Sequence, residues 1–205
     1  MFGIPTFDLL SDAGKQEFIE YIVNLVRKEI NSYTPSYNNT GTSQTSVENG
    51  YYGAFSDYTN QSAASANTGY AMTFNTTDLN NGVVISSPTS RVLFTRAGIY
   101  NIQWSGQFQN TASQEADVHV WMRINGVDVV GSTGFFTVPA KHGSINGSHL
   151  IGWNFMFKLF ANDYVELYWA TTNTTVSIKT YAAGTSPVSP STASLILTAQ
   201  QVTSV

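Results

Sequence analysis

Few side chains in this sequence have types and spacings that invite a catalytic reading. His119 stands two residues after Asp117 and four after Glu115. Residues i and i+2 of a strand share a face, so an imidazole and a carboxylate there could hold a divalent metal. Exposed strand histidines are common, and that plainer reading is preferred. His142 and His149 flank the stretch Gly143 to Ser148 and suggest no chemistry of their own. A glycosidase needs two facing carboxylates, and Asp163 with Glu166 is the closest pair in the last third of the chain. Asp163 falls in a turn and Glu166 on the outward side of a strand, so the pair reads as structural. Gly131-Ser132-Thr133-Gly134 reads as a loop rather than a nucleophile segment. There is no HExxH, no GxSxG and no phosphate loop. Cysteine is absent, which excludes thiol chemistry, thiolate metal sites and disulfides. The expectation is a protein without catalytic, cofactor or metal sites.

Composition points the same way. Hydrophobic residues make up 42% of the 205 residues and aromatics 13%, enough for a substantial core. Charged residues are only 11%, against about 25% in an average soluble domain, while Ser, Thr and Asn number 22, 24 and 17. A surface solvated by hydroxyls and amides is implied. The net charge of −4 disfavours nucleic acid or an anionic membrane as partner. No targeting or membrane-spanning pattern is evident, so a soluble product is expected.

The elements that would position these residues fall into two pieces. Residues 1 to 33 hold 8 of the 22 charged side chains. Within them Phe18, Ile19, Ile22, Val23, Val26 and Ile30 recur at three- and four-residue steps, which predicts an amphipathic helix over 13–32. Ser11 or Asp12 can cap it. Its apolar stripe needs a partner, either its own domain or another chain, and the second is preferred because Tyr33 to Gly50 reads as a polar linker.

From Tyr51 onward the chain reads as strands. Tyr100, Ile102, Trp104 and Phe108 alternate with Asn101, Gln103, Ser105 and Gln107. Val118, Val120, Met122 and Ile124 form a second alternating run. Asn125-Gly126 then turns the chain into a return strand over 127–130. Trp153, Phe155, Phe157 and Leu159 share an inward face, followed by Val165, Leu167 and Trp169, then by strands over 176–180 and 195–200. Trp121, Tyr164 and Tyr168 fall outward and are candidates for an interface or for stacking on carbohydrate. Eight to ten strands without intervening helices predict a mainly β, antiparallel sandwich or barrel.

The run Phe94-Thr-Arg-Ala-Gly98-Ile-Tyr100-Asn-Ile102-Gln-Trp104 resembles the signature of the complement globular-head and tumour-necrosis-factor-like jelly rolls. Phe157 to Leu167 resembles a second segment of that family, in which a Gly-Asp turn joins two core strands; Asn162 stands in place of the Gly. Ser194 to Leu197 resembles the final core strand. The resemblance covers about residues 51 to 205 and not the helix. More narrowly, Tyr52 to Asp57, Ala71 to Thr76, Gly98 to Ile102, Trp121 to Gly126 and Trp153 to Met156 together resemble a group of tailed-phage virion proteins.

The resemblance implies an antiparallel jelly roll over 50–205, preceded by a virion anchor over 1–49. It also implies a non-enzymatic homotrimer on the phage particle. In the family the outward face of the signature strand lies near the threefold axis, so Asn101, Gln103, Ser105 and Gln107 are expected at the trimer interface, joined by Gly152, Asn154 and Met156. Phe18, Ile19, Ile22, Val23, Val26 and Ile30 would seat the anchor on a major capsid protein or another virion protein. A head-decoration or cement protein leads. A tail or head fibre tip that binds a host surface glycan is the alternative. A free carbohydrate-binding domain and a cytokine-like protein come from other classes.

Overall fold

The capping Ser11 starts the helix where the periodicity places it. Its Oγ accepts the N–H of Gly14 at 3.0 Å and its carbonyl the N–H of Lys15 at 3.1 Å. The helix α1 runs Asp12–Ser32, one residue longer at its start than predicted. The computed structural model describes residues 11–32 and 50–205. All of the predicted linker over 33–50 except Gly50 lies outside the described residues, as does the side chain of Ile30. The chain divides between residues 47 and 48 into two units, of which α1 belongs to the first. Among the described residues no helix is long and apolar enough to cross a membrane.

The second unit is antiparallel β throughout its named strands. In chain order these are β1 (Tyr52–Asp57), β2 (Gln61–Ser62), β3 (Tyr70–Ala71), β4 (Thr76–Asn81), β5 (Val83–Ser86), β6 (Arg91–Phe94), β7 (Gly98–Asn110) and β8 (Ala116–Ile124). The second half holds β9 (Val127–Asp128), β10 (Gly134–Val138), β11 (Gly147–Leu159), β12 (Tyr164–Thr171), β13 (Val176–Ile178), β14 (Gly184–Thr185), β15 (Val188–Ser189) and β16 (Leu195–Thr203). Ten have four or more residues, the upper end of the eight to ten expected. Of the six short pieces, β9 and β13 fall within predicted strands, while β2, β3, β14 and β15 escape a sequence reading because two residues cannot display a period. The return strand after Asn125-Gly126 stops at Asp128, and Val130 points almost fully into solvent.

The first sheet runs β4–β1–β16–β7–β11, with β13 and β2 continuing beyond the end of β16. The second runs β5–β6–β12–β8–β10, with β3 against β12 and β9 against β8. Successive long strands cross between the sheets: β6 to β7, β7 to β8, β10 to β11, β11 to β12 and β12 to β16. This interleaving is two nested Greek keys, a jelly roll.

The core lies between the sheets and is built by the alternation. From β7 come Tyr100, Ile102, Trp104 and Phe108; from β8, Val118, Val120 and Met122; from β12, Val165, Leu167 and Trp169. Phe94 meets Tyr100 edge-on at 4.6 Å, and Phe108 meets Phe136 and Trp169 at 4.9 and 5.8 Å. The buried Tyr100 hydroxyl donates to the Arg96 carbonyl at 2.9 Å. Burial and then the neighbouring Tyr51 raise its pKa above the usual phenol value, which keeps it a donor.

Two turns fix the register of the second sheet. Asn125 and Gly126 have φ of 52° and 80°, the pair of left-handed residues a tight hairpin needs. Asn162 has φ 72°, which explains why Asn can stand where the resembling family has Gly. Asp163 clasps both turns: its Oδ2 accepts the Phe160 N–H and its Oδ1 the Asn125 side-chain amide, each at 2.7 Å. Replacing Asn162 by Val should destabilise the fold by about 1–2 kcal/mol, whereas Asn162→Gly should stay within about 0.5 kcal/mol of the parent. Leu167→Ala, which empties a fully buried position, should cost about 2–5 kcal/mol. Urea unfolding of the three variants checks the order.

Candidate functional site

The residues that invited a catalytic reading are placed structurally. Asp163 is the turn clasp just described. Glu166 points outward from β12 yet is only 5% exposed, because Arg91, Ser90 and Arg123 surround it. The Ser90 hydroxyl donates to its Oε1 at 2.7 Å, and the Arg91 Nε lies 3.7 Å from the same oxygen. Ser132 is buried in a turn, where its Oγ accepts the Met122 N–H at 3.0 Å and donates to the Val129 carbonyl at 2.7 Å. Such a hydroxyl holds a loop and is not presented to a substrate. Among the described residues no group of three or more His, Asp or Glu could hold a metal ion.

The outer face of the first sheet is different in kind. The register sets Ser105 beside Gly152, Gln103 beside Asn154 and Asn101 beside Met156. On the other side of β7, Ile196, Thr198 and Gln200 of β16 continue these three rows. The seven predicted interface residues therefore lie on one face, with six of them in adjacent pairs. Asn154 donates its amide to the Asn101 side-chain oxygen and to the Ile102 carbonyl. Gln107 is half-buried, and its amide donates to the Ala193 carbonyl at 3.0 Å within the same chain. A hollow of about 240 Å³ opens between β7 and β16, lined by Gln103, Ser105, Ile196 and Thr198 with Trp104.

Three apolar residues of β11 and β16 share this polar face: Leu150 at 69% exposed, Met156 at 58% and Ile196 at 43%. Leu150 and Ile196 were not singled out from the sequence. The available signal was their parity, since each is an apolar residue at an outward position of its strand.

The edge of this sheet corrects a second expectation. Trp153, Phe155 and Phe157 do point inward, opposite Trp104, Ile102 and Tyr100. They are not core: Trp153 is 43% exposed, and Phe155 and Phe157 are half-buried. The reason is their strand. β11 pairs with β7 along all 13 residues but has no partner on its other side among the described residues. The three rings stack in a ladder, with centroids 5.3 and 5.6 Å apart, and Gly134 of β10 leaves room for the Trp153 ring. A long, aromatic, open edge is a ready template for association.

Trp121, Tyr164 and Tyr168 lie on the outer face of the second sheet, half-buried rather than exposed. Cations cover two of them: the Arg123 guanidinium sits 4.4 Å from the Tyr168 ring centre and that of Arg91 4.4 Å from Tyr164. The Trp121 indole N–H donates to Asp128 Oδ1 at 2.8 Å. Arg123 Nε lies 2.9 Å from the same oxygen without directing its N–H at it, so the contact is a plain ion pair at the surface. In α1, the side chains of Ile19, Ile22, Val23 and Val26 are 40–51% exposed, and Phe18 is 38% exposed. Leu25, not singled out from the sequence, is exposed with them.

No family model and no curated protein matches this chain. Its chemistry is therefore read from its own residues. They form no catalytic set among those described, but they do form a face poor in charge, an open edge and an exposed apolar helix row. If the Ser90–Glu166 contact is structural, Ser90→Ala should cost about 1–3 kcal/mol by leaving a buried carboxylate oxygen short of its donor. Chemical denaturation of that variant against the parent measures it.

Proposed function

We propose that this protein is a non-enzymatic structural component of a phage particle, a homotrimeric head-decoration or cement protein held to the capsid by its N-terminal segment. The observation that carries the reading is the outer face of the first sheet. It combines rows of Asn, Gln, Ser and Thr with exposed Leu150, Met156 and Ile196, and it ends in the unpaired β11 edge with Trp153. Such a surface gains by meeting copies of itself. Amide hydrogen bonds supply direction, the apolar residues lose water, and few charged side chains oppose one another.

The particle assignment rests on the resemblance of the segments from Tyr52 to Met156 to tailed-phage virion proteins, and it is supported by the low-charge, hydroxyl-rich composition. The exposed row Ile19, Ile22, Val23 and Val26 is the anchor: burying each aliphatic side chain against a capsid partner contributes about 1.5–3 kcal/mol. A fibre tip is the second reading of the same trimer, favoured by the aromatic outer face of the second sheet. Antibody labelling of particles separates head from tail.

Four outcomes are expected. Light scattering at micromolar concentration should give three times the chain mass. Introducing Gln103→Glu with Asn154→Glu should yield a folded monomer, since threefold symmetry would bring the added charges together. A wild-type monomer under those conditions would remove the trimer. Deleting residues 1–33 should leave a folded trimer that no longer decorates particles, and Ile22→Asp with Val26→Asp should do the same, because a buried unpaired carboxylate is strongly unfavourable. Full occupancy by the truncated protein would place the capsid contact in the jelly roll.

A further inference from the structure

β8 presents Asp117 and His119 outward, and its two neighbours frame them. The register sets Phe135 of β10 beside His119 and Thr137 beside Asp117. On the other flank Ala170 of β12 faces His119, and the next turn brings Thr172, whose N–H donates to the Asp117 carbonyl at 3.0 Å. Asn67, in a left-handed conformation at φ 58°, is tied to this flank by its N–H, which donates to the Thr171 carbonyl at 2.8 Å.

Two shallow hollows result, one on each side of the Asp117–His119 ridge. The first, about 270 Å³, is lined by Phe135 and Thr137 with the ridge. The second, about 200 Å³, is lined by Asn67, Ala170 and Thr172 with the ridge, and the small Ala170 side chain forms part of its wall. Phe135 is 70% exposed although its ring meets His119 edge-on at 4.2 Å. Several polar atoms here are open to solvent. Asp117 Oδ1 accepts the Thr137 hydroxyl at 2.7 Å, but its Oδ2, the His119 ring nitrogens and the Asn67 side-chain amide have no hydrogen-bond partner among the described residues.

An open aromatic ring beside a carboxylate and an imidazole, with an amide across the ridge, matches a ligand with one C–H face and a rim of hydroxyls. We propose that the ridge with its two flanking hollows is a binding subsite for a neutral hexopyranose. The sugar's C–H face packs on Phe135, its hydroxyls donate to Asp117 Oδ2, and Asn67 and His119 exchange hydrogen bonds with the remaining hydroxyls. The sugar is neutral because no Lys or Arg lines either hollow while Asp117 does, so a carboxylated or phosphorylated sugar would meet a like charge and no counter-charge. The site lies on the second sheet and does not depend on the trimer reading.

The test titrates the full-length protein with the methyl glycosides of glucose, galactose, mannose and N-acetylglucosamine, and with N-acetylneuraminate, while recording amide NMR spectra. At least one neutral glycoside should saturate with a Kd of about 1 mM, the weak end expected of an open site. The shifts should centre on residues 117–119, 135–137 and 170–172. Phe135→Ala and Ala170→Leu should each weaken binding about tenfold or more, and Phe135→Tyr should keep it. The same spectra report whether each variant is folded. Absence of saturation by every neutral glycoside, shifts centred instead on Trp121 and Tyr164, or stronger binding of N-acetylneuraminate would overturn the proposal. So would a Phe135→Ala variant that lowers the mass by light scattering, because Phe135 would then belong to a subunit contact. The first three outcomes leave the oligomeric state untouched, so failure of the subsite is separable from failure of the trimer.

Discussion

The fold hangs on β7. This strand pairs with β11 along its whole length on one side, and with β16 and then β13 on the other. Its side chains alternate without a break, so Tyr100, Ile102, Trp104 and Phe108 enter the core while Asn101, Gln103, Ser105 and Gln107 face out. The period of a strand is two, and a slip of one residue would send four large side chains into water and four polar ones into the core. That penalty locks the register of β11 and β16 at once. The outer rows that pair Ser105 with Gly152 and Ile196 are therefore a by-product of core packing. The geometry of the surface proposed for assembly is set by the core beneath it.

The second sheet solves a different problem. Its outer face carries charge and aromatic rings close together, and it neutralises each locally. Arg91 serves both the Tyr164 ring and the buried Glu166; Arg123 serves the Tyr168 ring and Asp128. These contacts lie on a partly solvated surface, where an ion pair is worth little by itself. Their effect is to cover aromatic surface that would otherwise favour non-specific association. The contrast with the solvent-open groups around Asp117 and Phe135 is what singles that corner out.

The two sheets present different kinds of surface. A cleft with facing acids or an exposed nucleophile would require polar groups held free of partners at the bottom of a pocket. Glu166, Asp163 and Ser132, the residues nearest to that description in the sequence, are instead tied to their own chain. The remaining features lie on surfaces: the amide rows and open edge of the first sheet, and the shallow hollows of the second.

Much of this was legible in the residues themselves. The cap at Ser11, the helical stripe from Phe18 to Val26, the alternation of β7, β8 and β12 and the Asn125-Gly126 hairpin all follow from local rules that a window of a few residues satisfies. Strand parity also told which way each side chain points, and it did so correctly for Trp153, Phe155 and Glu166. It did not tell how deeply they are buried. Trp153 and Phe155 are partly exposed because β11 is an edge strand, and Glu166 is buried because Ser90 and Arg91 close over it from 76 and 75 residues away. Gln107 is engaged by Ala193 for the same reason. A sequence period fixes the face of a side chain. The order of strands in a sheet, and thus edge or centre, idle or engaged, is decided only when segments far apart in the chain come to lie side by side.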